Sequence, residues 1–66
     1  MNCPLTPRQI KVVEELSSGI PAKTAADHLR LTINMVNNDI QRAIRAANSG
    51  NAAGLVAKAI REGWIS

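Results

Sequence analysis

Six side chains between residues 34 and 45 share one chemical capability. Asn34, Asn37, Asn38 and Gln41 each carry an amide that both donates and accepts hydrogen bonds, and Arg42 and Arg45 add two cations toward the C-terminal end. Amides suit the edges of nucleic-acid bases and cations suit phosphates. The same residues would also make an ordinary solvated helix face, so the choice depends on what holds them. Within Thr32 to Ala47, TINMVNNDIQRAIRAA, the apolar residues Val36, Ile40, Ala43, Ile44 and Ala47 recur at i, i+4, i+7, i+8 and i+11. On a helix this is one stripe about 100° wide. A stripe of that width needs a core behind it, which the rest of the chain must supply.

That core is small. The 66 residues form a single domain, 1–66, and a chain of this length buries only about 60% of the surface its unfolded form exposes. With no Phe or Tyr and a single Trp, the interior must be Leu, Ile, Val and Ala. The one cysteine, Cys3, excludes an intrachain disulfide, and His28 has no partners at metal-ligand spacing, so neither metal nor cofactor is expected. No apolar run is long enough to span a bilayer and the N-terminus lacks the regions of a signal peptide, which points to a cytoplasmic protein with no membrane partner. An enzyme is not expected: Cys3 sits near a chain end, His28 reads as a partly exposed helix residue with no carboxylate partner in sequence, and no glycine loop cradles phosphate.

Eight Lys and Arg against five Asp and Glu give a net charge of +3, unevenly placed. Glu14 and Glu15 fall in the first helical segment, whereas Lys23, Arg30, Arg42 and Arg45 lie in or beside the middle one. A cationic side facing a polyanion is the simplest use of this asymmetry, although +3 also serves to keep a small domain in solution.

The helix boundaries are written in local signals. Thr6 is placed as an N-cap with Pro7 at the first helical position, Gln9 three residues after the cap, and Leu5 and Ile10 spaced as a hydrophobic staple. This opens a helix over about 7–17 with Ile10, Val13 and Leu16 inward and Lys11, Glu14 and Glu15 outward, stopped by Gly19. A short helix over about 22–29 turns Ala25, Ala26 and Leu29 inward, and its alanines allow another helix to approach closely. Arg30-Leu31-Thr32 then makes a tight connection, with Leu31 as a buried plug and Thr32 as N-cap of the long helix over about 33–47. Asn48 or Gly50 takes a left-handed conformation, and Asn51 caps a fourth helix over about 52–62. Its apolar stripe is Leu55, Val56, Ala59 and Ile60; Gly63 ends it, and Trp64-Ile65 folds back onto the core.

From Ala26 to Val36 the spacing is that of a helix-turn-helix: a small residue where two helices touch, a turn, a buried aliphatic, a capping hydroxyl and a buried β-branched residue. Arg30 stands at the turn position that many such sequences give to Gly. Over Leu5 to Ile65 the chain resembles the LuxR/GerE-type DNA-binding domain of bacterial transcription regulators. The resemblance rests on Leu5-Thr6-Pro7-Arg8, Val12, Leu16, Gly19, Lys23, Ala26 and Leu29, then Thr32, Val36, Asn38, Asn51, Leu55-Val56 and Gly63-Trp64-Ile65. It implies an all-α, four-helix fold whose third helix enters the major groove of double-stranded DNA, with dimers formed by the fourth helix. Carried over by position, Lys23 and Thr32 would contact phosphates, Asn34, Asn37, Asn38 and Gln41 would reach bases or nearby backbone, and Arg42 and Arg45 would lie close to phosphates.

Where that family has Thr-Val-Lys-x-His, this chain has Met35-Val36-Asn37-Asn38-Asp39. A phosphate-binding hydroxyl, a groove-facing lysine and a further polar contact have become methionine, asparagine and aspartate. Asp39 would repel a phosphate if it faced one; otherwise it pairs with Arg42 or sits in solvent. On the fourth helix Ala53, Ala57, Ile60 and Arg61 recur at i, i+4, i+7 and i+8 on the outward side, a stripe whose small residues let two such helices cross closely in a homodimer. Two functions follow. One is a sequence-specific DNA-binding transcriptional regulator, dimeric on two half-sites. The other is a protein-interaction module with weakened DNA binding that pairs with a LuxR-type regulator and holds it off DNA. No sensory domain lies in these residues, so the chain is a stand-alone regulator or an excised C-terminal domain, and the closeness of Met1 to Leu5 favours the former.

Overall fold

In the computed structural model, which describes residues 3–66, four helices follow in order: α1 (Pro7–Ser17), α2 (Ala22–Leu29), α3 (Ile33–Ala47) and α4 (Ala52–Arg61). Met1, on which the stand-alone expectation leans, lies outside the described residues. The capping logic operates as the local signals require. Thr6 and Gln9 form a reciprocal capping box, with Gln9 N–H donating to Thr6 Oγ1 at 3.2 Å and Thr6 N–H donating to Gln9 Oε1 at 3.0 Å. Asn51 Oδ1 accepts from Gly54 N–H at 2.7 Å to open α4.

α1 packs against each of the other three helices, α3 packs against α2 and α4, and α2 and α4 do not meet. Helices α1 and α3 are therefore the spine, with α2 and α4 on separate flanks. The interior divides accordingly. One cluster joins Leu5, Val13, Ala43, Ala47, Leu55, Ala59 and Ile65; the other joins Val12, Ala26, Val36 and Ile40 beneath α2. Ile44 packs against both. Such small side chains let the helices close up, and the Cα radius of gyration is 10.6 Å.

Three expectations about facing need correction. On α1 Ile10 and Leu16 face inward as expected, half-buried against the two clusters, but Val12, missing from the expected stripe, is fully buried beside Val13, because α1 is enclosed on several sides and its apolar band is wider than a single stripe. Leu31 is likewise half-buried, packed at the margin of the second cluster rather than plugged into it. Ile60 does not belong to the inner stripe of α4: it is 53% exposed, while Leu55 and Ala59 are fully enclosed. At the C-terminus Ile65 folds back onto the core and Trp64 packs beside it, burying an indole Nε1–H that has no hydrogen-bond partner. Nothing in the structure explains that orphan donor.

Candidate nucleic-acid interface

The turn between α2 and α3 is fixed by backbone hydrogen bonds before any side chain on α3 is considered. Arg30 adopts a left-handed conformation (φ 58°, ψ 43°), and Leu31 N–H donates back to Ala26 C=O at 2.8 Å, closing the end of α2. This is the position where many helix-turn-helix sequences carry Gly, so Arg30 holds a conformation that costs a Cβ-bearing residue about 1–2 kcal/mol. Thr32 then reverses into extended backbone and caps α3, its Oγ1 accepting from Met35 N–H at 3.1 Å. Val36, wholly buried one turn later, anchors the helix to the core.

The rear of α3 is formed by Val36, Asp39, Ile40, Ala43 and Ala47, all buried. At about 100° per residue these occupy roughly 100° of the circumference, and the direction opposite their centre passes through Asn34, Asn38 and Arg45, with Gln41 close by. Asn37 and Arg42 lie toward opposite margins of the same exposed face. Asn34, Asn37, Asn38, Gln41, Arg42 and Arg45 are all exposed, as are Thr32 and, at 36%, Met35. The helix thus presents its polar residues, Asn34 to Arg45, together along about 17 Å. On α2, Lys23 is exposed about 140° around the helix from His28. Since His28 reaches α1, Lys23 lies on the flank turned away from α1. Among the described residues Lys23, Arg42 and Arg45 take part in no ion pair.

Asp39 departs from every sequence expectation. Its carboxylate is neither paired with Arg42 nor in solvent: it is 3% exposed and receives two hydrogen bonds from Arg8, Nε to Oδ2 at 2.7 Å and Nη2 to Oδ1 at 2.9 Å. This fork-to-fork geometry ties the first turn of α1 to the middle of α3. The hydrogen bonds from Arg8, reinforced by the charge of Asp39, raise the guanidinium pKa further above its ordinary value against a small opposing effect of burial. His28 is also corrected. It has a carboxylate partner after all, Glu15, with Nδ1 and Oε1 2.6 Å apart across the α1–α2 contact. The far end of α3 is held by Asn48 in a left-handed cap and by Lys58 Nζ, which donates to Ala47 C=O at 2.6 Å.

Sequence reasoning passed over three contributors to this face. Arg8 and Lys58 position α3 from other helices, and Ile33, the first residue after the Thr32 cap, is 41% exposed just beyond the Asn37 margin of the face. Only Ile33 had a usable local signal, its place in the capped first turn. The outer side of α4 presents Ala53, Ala57, Ile60 and Arg61, all exposed. Among the described residues no helix is long and apolar enough to cross a membrane. No family model, curated protein or solved structure matches the chain.

Proposed function

We propose that this chain is a sequence-specific, double-stranded DNA-binding transcriptional regulator of LuxR/GerE type, with α3 in the major groove and two copies paired through α4. The observation that carries the reading is the front of α3: four amides and two unpaired arginines on one exposed face, following a capped turn and backed by a buried rear. That combination supplies base-edge hydrogen bonding along the centre of the helix and phosphate contacts at its end. Lys23 and Thr32 add phosphate contacts from α2 and the turn. Pairing through Ala53, Ala57, Ile60 and Arg61 would set two α3 helices about one DNA turn apart.

The second reading, an interaction module that withholds a LuxR-type regulator from DNA, keeps its support from Met35 and Asn37, which supply no phosphate-binding hydroxyl and no cation. Asp39 no longer counts toward it, because its charge is turned inward onto Arg8. Selection of bound duplexes from a random pool, followed by fluorescence anisotropy at several salt concentrations, tests the choice. Enrichment of a paired half-site with salt-dependent binding supports the regulator; no binding at low salt, together with heterodimer formation, supports the module.

A further inference from the structure

Three large apolar side chains are exposed among the described residues: Ile33, Met35 and Ile60. Ile60 belongs to the outer side of α4. The other two stand within three residues of each other in the first turn of α3, and neither is part of either core cluster. Their backbone is fixed, since Thr32 caps this turn and Met35 N–H is itself the group that Thr32 Oγ1 holds.

We propose that Ile33 and Met35 read thymine methyl groups, so that the DNA half-site of this protein is built on A·T base pairs. The inference rests on the DNA-binding reading given above. In the major groove an A·T pair displays the adenine N7 acceptor and N6 donor beside the thymine O4 and its C5 methyl. An amide next to an apolar side chain is the complement of that edge. α3 offers this combination twice, once on each side of its exposed face, because Asn37 follows Ile33 at i+4 and Asn38 follows Met35 at i+3, each pair one turn apart. Asn34 lies between, about 100° from each. A recognition helix reads bases chiefly with its N-terminal residues, which is where both apolar side chains stand.

The alternatives fit less well. A phosphate wall gives an exposed isoleucine or methionine nothing to pack on. A docked protein would want one continuous apolar patch, whereas Ile33 and Met35 are about 160° apart around the helix, and Asn34 and Asn38 part them across the exposed side.

The test starts from the duplex that the wild-type protein selects out of a random pool. Each thymine of its half-site is replaced in turn by deoxyuridine, which removes the C5 methyl and leaves every hydrogen-bonding group in place. Burial of one methyl group corresponds to about a fourfold change in affinity. Anisotropy should therefore show a loss of about that size at one or two thymines, and Ile33→Ala or Met35→Ala should abolish the loss at its own position. Circular dichroism of both variants confirms that these exposed substitutions leave the helices intact. The inference is overturned, with DNA binding itself still standing, if the selected half-site lacks A·T pairs, if deoxyuridine is tolerated everywhere, or if each variant still discriminates thymine from deoxyuridine. Weakened self-association with discrimination unchanged also overturns it, by assigning the two side chains to a protein contact. A wild type that selects no duplex refutes the DNA-binding reading first, and this inference with it.

Discussion

Replacing Arg45 by Ala removes an exposed, unpaired cation from the centre of the front of α3, and Lys11→Ala removes an equally exposed one from α1. Both variants carry a net charge lower by one than the native +3. α1 packs behind α3, so Lys11 stands remote from the front face while Arg45 projects from it. A phosphate contact contributes about −0.9 to the slope of log K against log salt. For a dimer on two half-sites Arg45→Ala removes two, flattening the slope by about 1.8. Between 50 and 200 mM salt, an interval of about 0.6 log units, that difference amounts to roughly a twelvefold change in the ratio of affinities. Lys11→Ala should leave the slope near the native value. Anisotropy titrations on a random duplex at four or more salt concentrations measure both. Equal flattening by the two variants would mean that only net charge matters, and no change with Arg45→Ala would remove α3 from the phosphate backbone; either result refutes the placement argued for this face.

Four further outcomes follow from the packing. Gly54→Ala, which helix propensity alone would favour by about 1 kcal/mol, should instead lower the urea midpoint, because the new Cβ would lie 2.5 Å from Ser49 C=O; a raised midpoint would mean that the loop yields freely. Arg30→Gly relieves the left-handed strain at the α2–α3 turn and should stabilise by about 1 kcal/mol, or 4–8 °C in Tm for a domain this small, measured by thermal circular dichroism; an unchanged or lower Tm would show that the Arg30 side chain compensates. Arg8→Met leaves the Asp39 carboxylate buried without its partner and should lower Tm, while the double variant Arg8→Met/Asp39→Leu should recover most of the loss; failure to recover would mark the pair as irreplaceable for the seating of α3. Ala57→Asp sets like charges together across the proposed two-fold contact and should shift sedimentation at tens of micromolar from dimer to monomer without altering helicity. A dimer that persists would place the interface elsewhere.

The helix starts at Pro7, Ile33 and Ala52 were legible in the sequence because their causes lie within a few residues, while α4 ends at Arg61, one residue short of the expected 62. Thr6 with Gln9, Thr32 with the Met35 N–H and Asn51 with the Gly54 N–H are contacts over three positions, and Asn48 and Gly63 stop their helices by their own backbone conformations. The exposed amide face of α3 was legible for a related reason: a strongly segregated 3.6-residue period leaves little choice about which side is buried. What the sequence could not contain was the docking of one helix on another. Arg8 and Asp39 are 31 residues apart, Glu15 and His28 13, and Lys58 and Ala47 11; each meeting depends on how the helices cross. Asp39 shows the consequence most clearly. By residue type a carboxylate belongs in water or beside its neighbour Arg42, but α1 covers that flank of α3 and brings Arg8 with it, so burial becomes tolerable once two directed hydrogen bonds replace hydration. The same dependence decided Ile60: periodicity allowed it to either side of α4, and only the position of α3 and α1 on the inner side left it facing out.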